Sequence, residues 1–191
     1  MLVNLKAIDY KISADELLEI SSDNPDLRFE VTEEGKLIIM SPTGSDSGRR
    51  NTKLIFQVEL WNSTNNLGIT FESSPCFVLS NGAVRSPDVS WIRRERWSAI
   101  PKQQQEKFAP IDPDFVIELR SPSDKLFELQ QKMYEYISCG VLLGWLINPQ
   151  DNQVEIYRQG QSKEVLDRPQ VLSGENILPG LTVDLSEIFH A

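Results

Sequence analysis

Apolar residues recur along the chain with two different periods, and the alternation between them sketches the fold. Ser13-Ala-Asp-Glu16 ahead of Leu17 and Leu18 has the form of a capping box, which predicts a short helix running to about Ser22. Asn24-Pro25-Asp26 reads as a turn. Residues 28–32 read as a strand, Glu33-Glu34-Gly35-Lys36 as a hairpin turn, and 37–40 as the returning strand, which Ser41-Pro-Thr-Gly44 breaks. Over 47–64, Leu54, Ile55, Val58 and Trp61 fall at helical spacing and Leu60 widens the stripe. That pattern predicts a long amphipathic helix, ended by Asn65-Asn66-Leu67-Gly68.

Strands are then predicted over 69–73, 76–79, 83–85 and 88–92, a short helix over 93–100, and a polar loop over 101–113. Residues 114–119, Asp-Phe-Val-Ile-Glu-Leu, are apolar at nearly every position, as a strand covered on both faces should be. Ser121-Pro-Ser-Asp124 is expected to cap a helix over 125–139, with Gly140 as its stop. Strands over 143–147 and 154–157 flank a turn at 148–152, and the tail from 164 to 189 carries further short strands. This order predicts an α/β chain, with a mixed sheet flanked by helices. The length of 191 residues fits a single domain, 1–191.

Composition narrows the chemistry. The single histidine, His190, excludes histidine-based triads and His-rich metal sites, and is expected in a solvated tail. Cys76 and Cys139 are too few for a disulfide framework, match no zinc spacing, and read as small buried apolar residues. No apolar run reaches the roughly 20 residues of a membrane span. The first six residues show no signal-peptide pattern, so the expected location is the cytoplasm. Acid–base work would fall to carboxylates and lysines, with a hard metal ion as the natural helper. The net charge of −9 is unlike that of most nucleic-acid binders, which carry Lys and Arg for the phosphates. Two local basic clusters, Arg49, Arg50 and Lys53, and Arg93, Arg94 and Arg96, could supply such contacts or could simply be solvated.

Two acidic residues stand out by position. Glu118 lies inside the apolar strand and needs a cation, a donor set or a metal to be tolerated there. Alternation puts Val116, Glu118 and Arg120 on one face and Phe115, Ile117 and Leu119 on the other. Asp88 opens the preceding strand after Ser86-Pro87. Two carboxylates on adjacent strands can hold one Mg²⁺, with waters completing its shell. The other reading of Glu118 is a structural ion pair.

Taken in order, several segments resemble the Uma-type restriction endonucleases of the PD-(D/E)XK superfamily, a family expanded in cyanobacteria. They are Arg28-Phe-Glu30, Gly35-Lys-Leu37, Met40-Ser-Pro-Thr-Gly44, Ser86-Pro-Asp-Val89, Phe115-Val-Ile-Glu-Leu-Arg-Ser-Pro-Ser-Asp124, Lys132-Met-Tyr-Glu-Tyr-Ile137, Gly140-Val141, Gly144-Trp-Leu-Ile-Asn-Pro149 and Leu178-Pro-Gly-Leu181. The resemblance covers nearly the whole chain. It implies a restriction-endonuclease-like core, with Asp88 and Glu118 as metal ligands for Mg²⁺ or Mn²⁺. It also implies Glu30 as an auxiliary acid, in competition with Glu33 and Glu34.

One position departs from the superfamily pattern. Arg120 stands where a lysine is expected, and an arginine does not give up its proton, though it can contact a phosphate. In this family the lysine moves into the following helix. Lys132 matches that place at the edge of the apolar face, Lys125 competes with it, and Gln131 is a possible supporter. The resemblance further implies DNA as substrate and a homodimer, with Trp91, Trp97 and Phe108 as aromatics available to core or interface. The alternative is a chain of the same fold that has lost catalysis and serves as a binding module.

Overall fold

The apolar run at 114–119 becomes an interior strand of a six-stranded sheet, and all five of its strand residues are buried. A computed structural model describes residues 11–40 and 42–189. The N-terminal segment expected to lack a leader, Ser41 of the predicted break, and His190 lie outside them.

The elements, in chain order, begin with α1 (Ala14–Asp23), β1 (Arg28–Val31), β2 (Leu37–Met40), α2 (Ser45–Asn65), β3 (Gly68–Phe71), β4 (Phe77–Val78), β5 (Val84–Arg85) and β6 (Val89–Arg93). They continue with α3 (Arg94–Ser98), α4 (Lys102–Gln105), β7 (Phe115–Leu119), α5 (Leu126–Ser138), β8 (Leu143–Asn148) and β9 (Gln153–Arg158). The tail holds β10 (Glu164–Asp167), β11 (Val171–Ser173), β12 (Thr182–Asp184) and α6 (Ser186–Phe189). The chain threads between two compact units.

The first unit comprises Met1–Pro42, Ser74–Ser86 and Ala99–Asp112. Its four-stranded antiparallel sheet has the order β2-β1-β5-β4. The predicted capping box forms: Glu16 N–H donates to Ser13 Oγ, and Glu16 Oε2 accepts from Ser13 N–H at 2.8 Å. Leu17 of α1 packs with Phe29, Val31, Cys76 and Val84. The polar loop expected over 101–113 contains α4, a single helical turn opened by Pro101.

The second unit comprises Thr43–Ser73, Pro87–Ser98 and Pro113–Ala191, and carries the sheet β10-β9-β8-β7-β6-β3. Within this sheet β7 and β8 run parallel, and α5 makes the crossover that a parallel pair requires. Alternate residues sort to two faces. Val89, Trp91, Phe115, Ile117, Leu119, Trp145 and Ile147 pack against Leu54 and Val58 of α2 and against the tail. The other face lies under α5. A Cβ on Gly144 would meet Met133 Cε at 2.5 Å and Val116 Cγ2 at 3.3 Å, so the missing side chain lets α5 lie close to the sheet. Ser121–Asp124 does not cap α5 as expected. Asp124 Oδ2 accepts from Ser121 N–H at 2.7 Å within its own turn, and Lys125 is the N-cap without a side-chain bond. Among the described residues, no helix is long and apolar enough to cross a membrane.

Asn62 fixes α2 to this sheet. Its buried Oδ1 accepts from Gly68 N–H at 3.1 Å and from Trp91 Nε1–H at 2.9 Å. Asn62→Ala strands two buried donors, so the urea midpoint should fall by the equivalent of roughly 2–4 kcal/mol. A loss under about 0.5 kcal/mol would show that neither donor depends on this acceptor.

Candidate active site

β6 pairs antiparallel with β7 through Val89↔Ile117, Ser90↔Val116 and Trp91↔Phe115. Asp88 immediately precedes Val89, and Glu118 follows Ile117, so both acids lie at the same end of this strand pair. Like charges gathered at one end of a strand pair repel, so a cation there is stabilising. The ladder of β6 ends at Val89, and Leu119 N–H instead donates to Asp88 Oδ2 at 2.7 Å. The carboxylate thus takes the place of a strand carbonyl.

Glu118 is 4% exposed. Two donors from α5 reach the same oxygen, Oε1: Lys132 Nζ at 2.8 Å and Tyr136 O–H at 2.9 Å. The donors are four residues apart, one turn of the helix, so they share a face. Lys132 Nζ also lies 5.7 Å from the centroid of the Tyr136 ring. The two competing lysines separate clearly. The Lys132 side chain is 12% exposed and bound to Glu118, whereas that of Lys125 is 74% exposed and paired with Glu128 at 2.7 Å.

The remaining expected residues are engaged elsewhere. The Arg120 guanidinium points to the β8–β9 turn, where it meets Asn148 Oδ1 at 3.3 Å and Asp151 Oδ2 at 3.2 Å, and it also donates to the carbonyl of Asp124. Gln131 is exposed. In the first unit, Glu30 is buried, with Oε2 on Arg85 at 3.1 Å and Oε1 accepting from Ser86 N–H at 2.9 Å. Both basic clusters are tied into the second unit. Arg49 and Arg50 pair with Asp46, and Lys53 with Glu187. Arg93 and Arg96 pair with the buried Asp114, and Arg94 donates to Asn66 and to the Gly68 carbonyl. Trp91 is core, and Trp97 packs edge-on against Phe71. Phe108 packs on the apolar core of the first unit.

Sequence reasoning missed two features. Tyr136 reads as a member of the apolar face of α5, and only its O–H reveals the link to Glu118. The second is Glu155, one strand beyond β8. The register Glu118↔Leu146 and Leu146↔Glu155 puts both glutamates in one row. Glu155 accepts from Gln130 Nε2 at 2.7 Å, from Lys163 Nζ at 2.8 Å and from the Tyr157 O–H. No sequence signal like the one at Glu118 marked it, because polar and apolar residues alternate along 153–158. Burial pushes its carboxyl pKa up, but the bonds from Lys163, Tyr157 and Gln130 outweigh that and hold it below the ordinary range. The Tyr157 phenol is raised, by burial first and by the bond to Glu155 second.

Among the described residues, no cluster of three or more His, Cys, Asp or Glu side chains could hold a metal. Asp88 and Glu118 offer hard oxygen donors at one strand end, the donor type that suits Mg²⁺ or Mn²⁺, cations that keep several waters and need few protein ligands. The donor set therefore fits the expected metal.

Comparison with known proteins follows the same line. A family model described as "Uma2: Putative restriction endonuclease" matches residues 14–186. A solved structure is also similar, the crystal structure of "a putative nuclease belonging to DUF820" from Anabaena variabilis ATCC 29413. It is 22% identical, with a TM-score of 0.77, over 93% of this chain and 97% of that chain. This likeness shows the fold. No curated protein matches.

Two outcomes follow for stability. Lys132→Met leaves a buried carboxylate without its ammonium and should cost about 3 kcal/mol in urea unfolding. Adding Glu118→Gln, whose amide oxygen still accepts from Tyr136, should restore most of that loss. A double variant as unstable as the single one would count against a coupled pair. Glu155 has a depressed folded pKa, so its contribution is present above its unfolded pKa and is lost as pH falls through the folded one. The stability gap between wild type and Glu155→Gln should thus be widest near neutrality and shrink as pH falls through the ordinary glutamate range and below it. A gap constant from pH 7 to pH 3 would contradict this.

Proposed function

The chain belongs to the Uma2 family, and from that premise we propose that it is a divalent-cation-dependent endonuclease hydrolysing phosphodiester bonds in DNA. One observation carries the reading: a largely shielded ammonium, Lys132 Nζ, lies 2.8 Å from Glu118, at the end of the strand pair where Asp88 Oδ2 accepts from Leu119 N–H. An acid pair on adjacent strands beside a lysine is a donor set suited to phosphoryl chemistry.

Asp88 and Glu118 would hold the cation, Mg²⁺ or Mn²⁺. When bound, such a cation supplies Lewis acidity toward a phosphate oxygen and makes water a better nucleophile at neutral pH. Lys132 donates from its ammonium to the phosphoryl oxygens as their negative charge grows, or orients the attacking water. Its stem is held by burial, which limits the freedom of a long side chain. Water is the nucleophile in this scheme, and no side chain forms a covalent intermediate. Arg120 is the further phosphate contact in this reading, provided it leaves Asp151. Glu30 is left out, since Arg85 and Ser86 already engage both its oxygens. Cutting both strands would take a homodimer, with one site per strand.

A second reading has its own support. The chain carries a net charge of −9, and its basic clusters are paired internally. Such a surface offers little to a phosphate backbone, which favours a nuclease fold retained as a protein-binding module.

The test uses Asp88→Asn, which keeps an oxygen for Leu119 N–H while removing the charge. Wild type should bind Mn²⁺ by calorimetry and nick supercoiled plasmid in Mg²⁺. The variant should lose both, with cleavage down at least about 100-fold. Wild type that neither binds millimolar metal nor cleaves DNA would reverse the assignment in favour of the binding module.

A further inference from the structure

Tyr136 lies on the apolar face of α5 and is fully buried, yet its O–H ends on the carboxylate expected to hold a metal. We propose that Tyr136 is a positioning residue that fixes Glu118 in its cation-binding orientation and sets the metal affinity of the site. This inference rests on the metal-site reading above.

Lys132 and Tyr136 donate to the same atom, Glu118 Oε1, at 2.8 and 2.9 Å. They differ in how firmly they are held. Lys132 sits on a flexible four-carbon stem, and in the proposed reaction its ammonium turns toward phosphate. The Tyr136 ring is packed in the core, with two side-chain torsions and no exposure to water. When Lys132 leaves Glu118 for a phosphate, Tyr136 is the donor that stays. It therefore keeps the carboxylate from rotating out of line while the lysine works. Hydrogen bonds to metal-ligating carboxylates act in this way, and their removal typically weakens metal binding about 10–100-fold. The ring has a separate part: its face lies 5.7 Å from Lys132 Nζ and limits where the ammonium can go.

The molecule contains its own control. Glu155 lies in the same row of the sheet and has a parallel set of donors, Lys163, Tyr157 and Gln130. Tyr157 is also buried and also donates its O–H to a buried glutamate. Glu155 has no acid among its cross-strand neighbours, Leu146 and Val165, whereas Glu118 shares its strand end with Asp88. Loss of either hydroxyl should cost similar stability, whereas only one should touch metal binding.

The experiment compares Tyr136→Phe with Tyr157→Phe. Each keeps the ring and removes a single oxygen, so the fold should survive, as circular dichroism melting would record. Mn²⁺ titration by calorimetry should show the Kd raised about 10-fold in Tyr136→Phe and changed less than about 2-fold in Tyr157→Phe. An unchanged or tighter Kd in Tyr136→Phe would overturn the proposal. If Asp88→Asn still abolished binding, the metal site itself would stand. Equal weakening by the two variants would also overturn it, by reducing Tyr136 to general support of the fold. Wild type that binds no Mn²⁺ would bring down both this inference and the metal-site reading.

Discussion

A carboxylate in the interior strand of an apolar sheet costs several kcal/mol unless charge and hydrogen bonds answer it. Glu118 is such a group, and much of the second unit is arranged around answering it. The solvation that burial removes is replaced by an ammonium and a phenol from one helix, both on one oxygen. Replacement requires α5 to lie at a fixed height and rotation over β7, because a hydrogen bond tolerates only a few tenths of an ångström. Gly144 leaves room for that approach, since a Cβ there would crowd the end of Met133 and touch Val116. The parallel crossover from β7 to β8 supplies the direction. Backbone topology, a missing side chain and helical spacing thus converge on the pairing of one acid.

The same constraint explains the lysine. A nuclease of the usual superfamily pattern would carry it two residues after the acid, on the same strand. In this chain that position, Arg120, is drawn to Asp151 and Asn148 beyond the strand end. The cation at Glu118 comes from above the sheet, through α5. An ammonium delivered from a helix can withdraw without disturbing the strand, whereas one delivered from the strand is tied to the ladder. Lys132 thus brings an ammonium to the acid from a helix rather than from the strand.

Much of this was legible in sequence, for definite reasons. Glu118 was visible because a charge interrupts an otherwise apolar strand, and that conflict needs no partner to be noticed. Asp88 gained weight only in combination, since Pro-Asp occurs three times and turns favour it. The wheel put Lys132 at the edge of the apolar face, but its depth could not be read until the approach of α5 to Gly144 was known. Tyr136 was hidden because an aromatic on an apolar face satisfies the hydrophobic pattern completely, and the pattern is blind to where its hydroxyl ends. Glu155 was hidden by the alternation in Gln153-Val-Glu-Ile-Tyr-Arg158, which reads as a half-solvated strand until α5 is seen to cover that face. The pairing of Glu30 with Arg85 joins residues 55 apart, and no local period carries such information.

Charge remains the feature most at odds with a nucleic-acid partner, and the structure sharpens it. The two clusters that composition offered as phosphate contacts are committed to Asp46, Glu187 and Asp114, or to the backbone around Asn66. Their arginines and lysine hold helix ends and strand ends together. A chain with this distribution cannot draw its affinity from a broad basic face, as a nonspecific binder does. Attraction for a phosphodiester would have to be concentrated at the site, in Lys132 and in a cation that reverses the local sign at Asp88 and Glu118. Binding and catalysis would then depend on one set of groups. Without a cation this chain would have little reason to hold DNA at all, and that couples the question of its partner to the question of its metal.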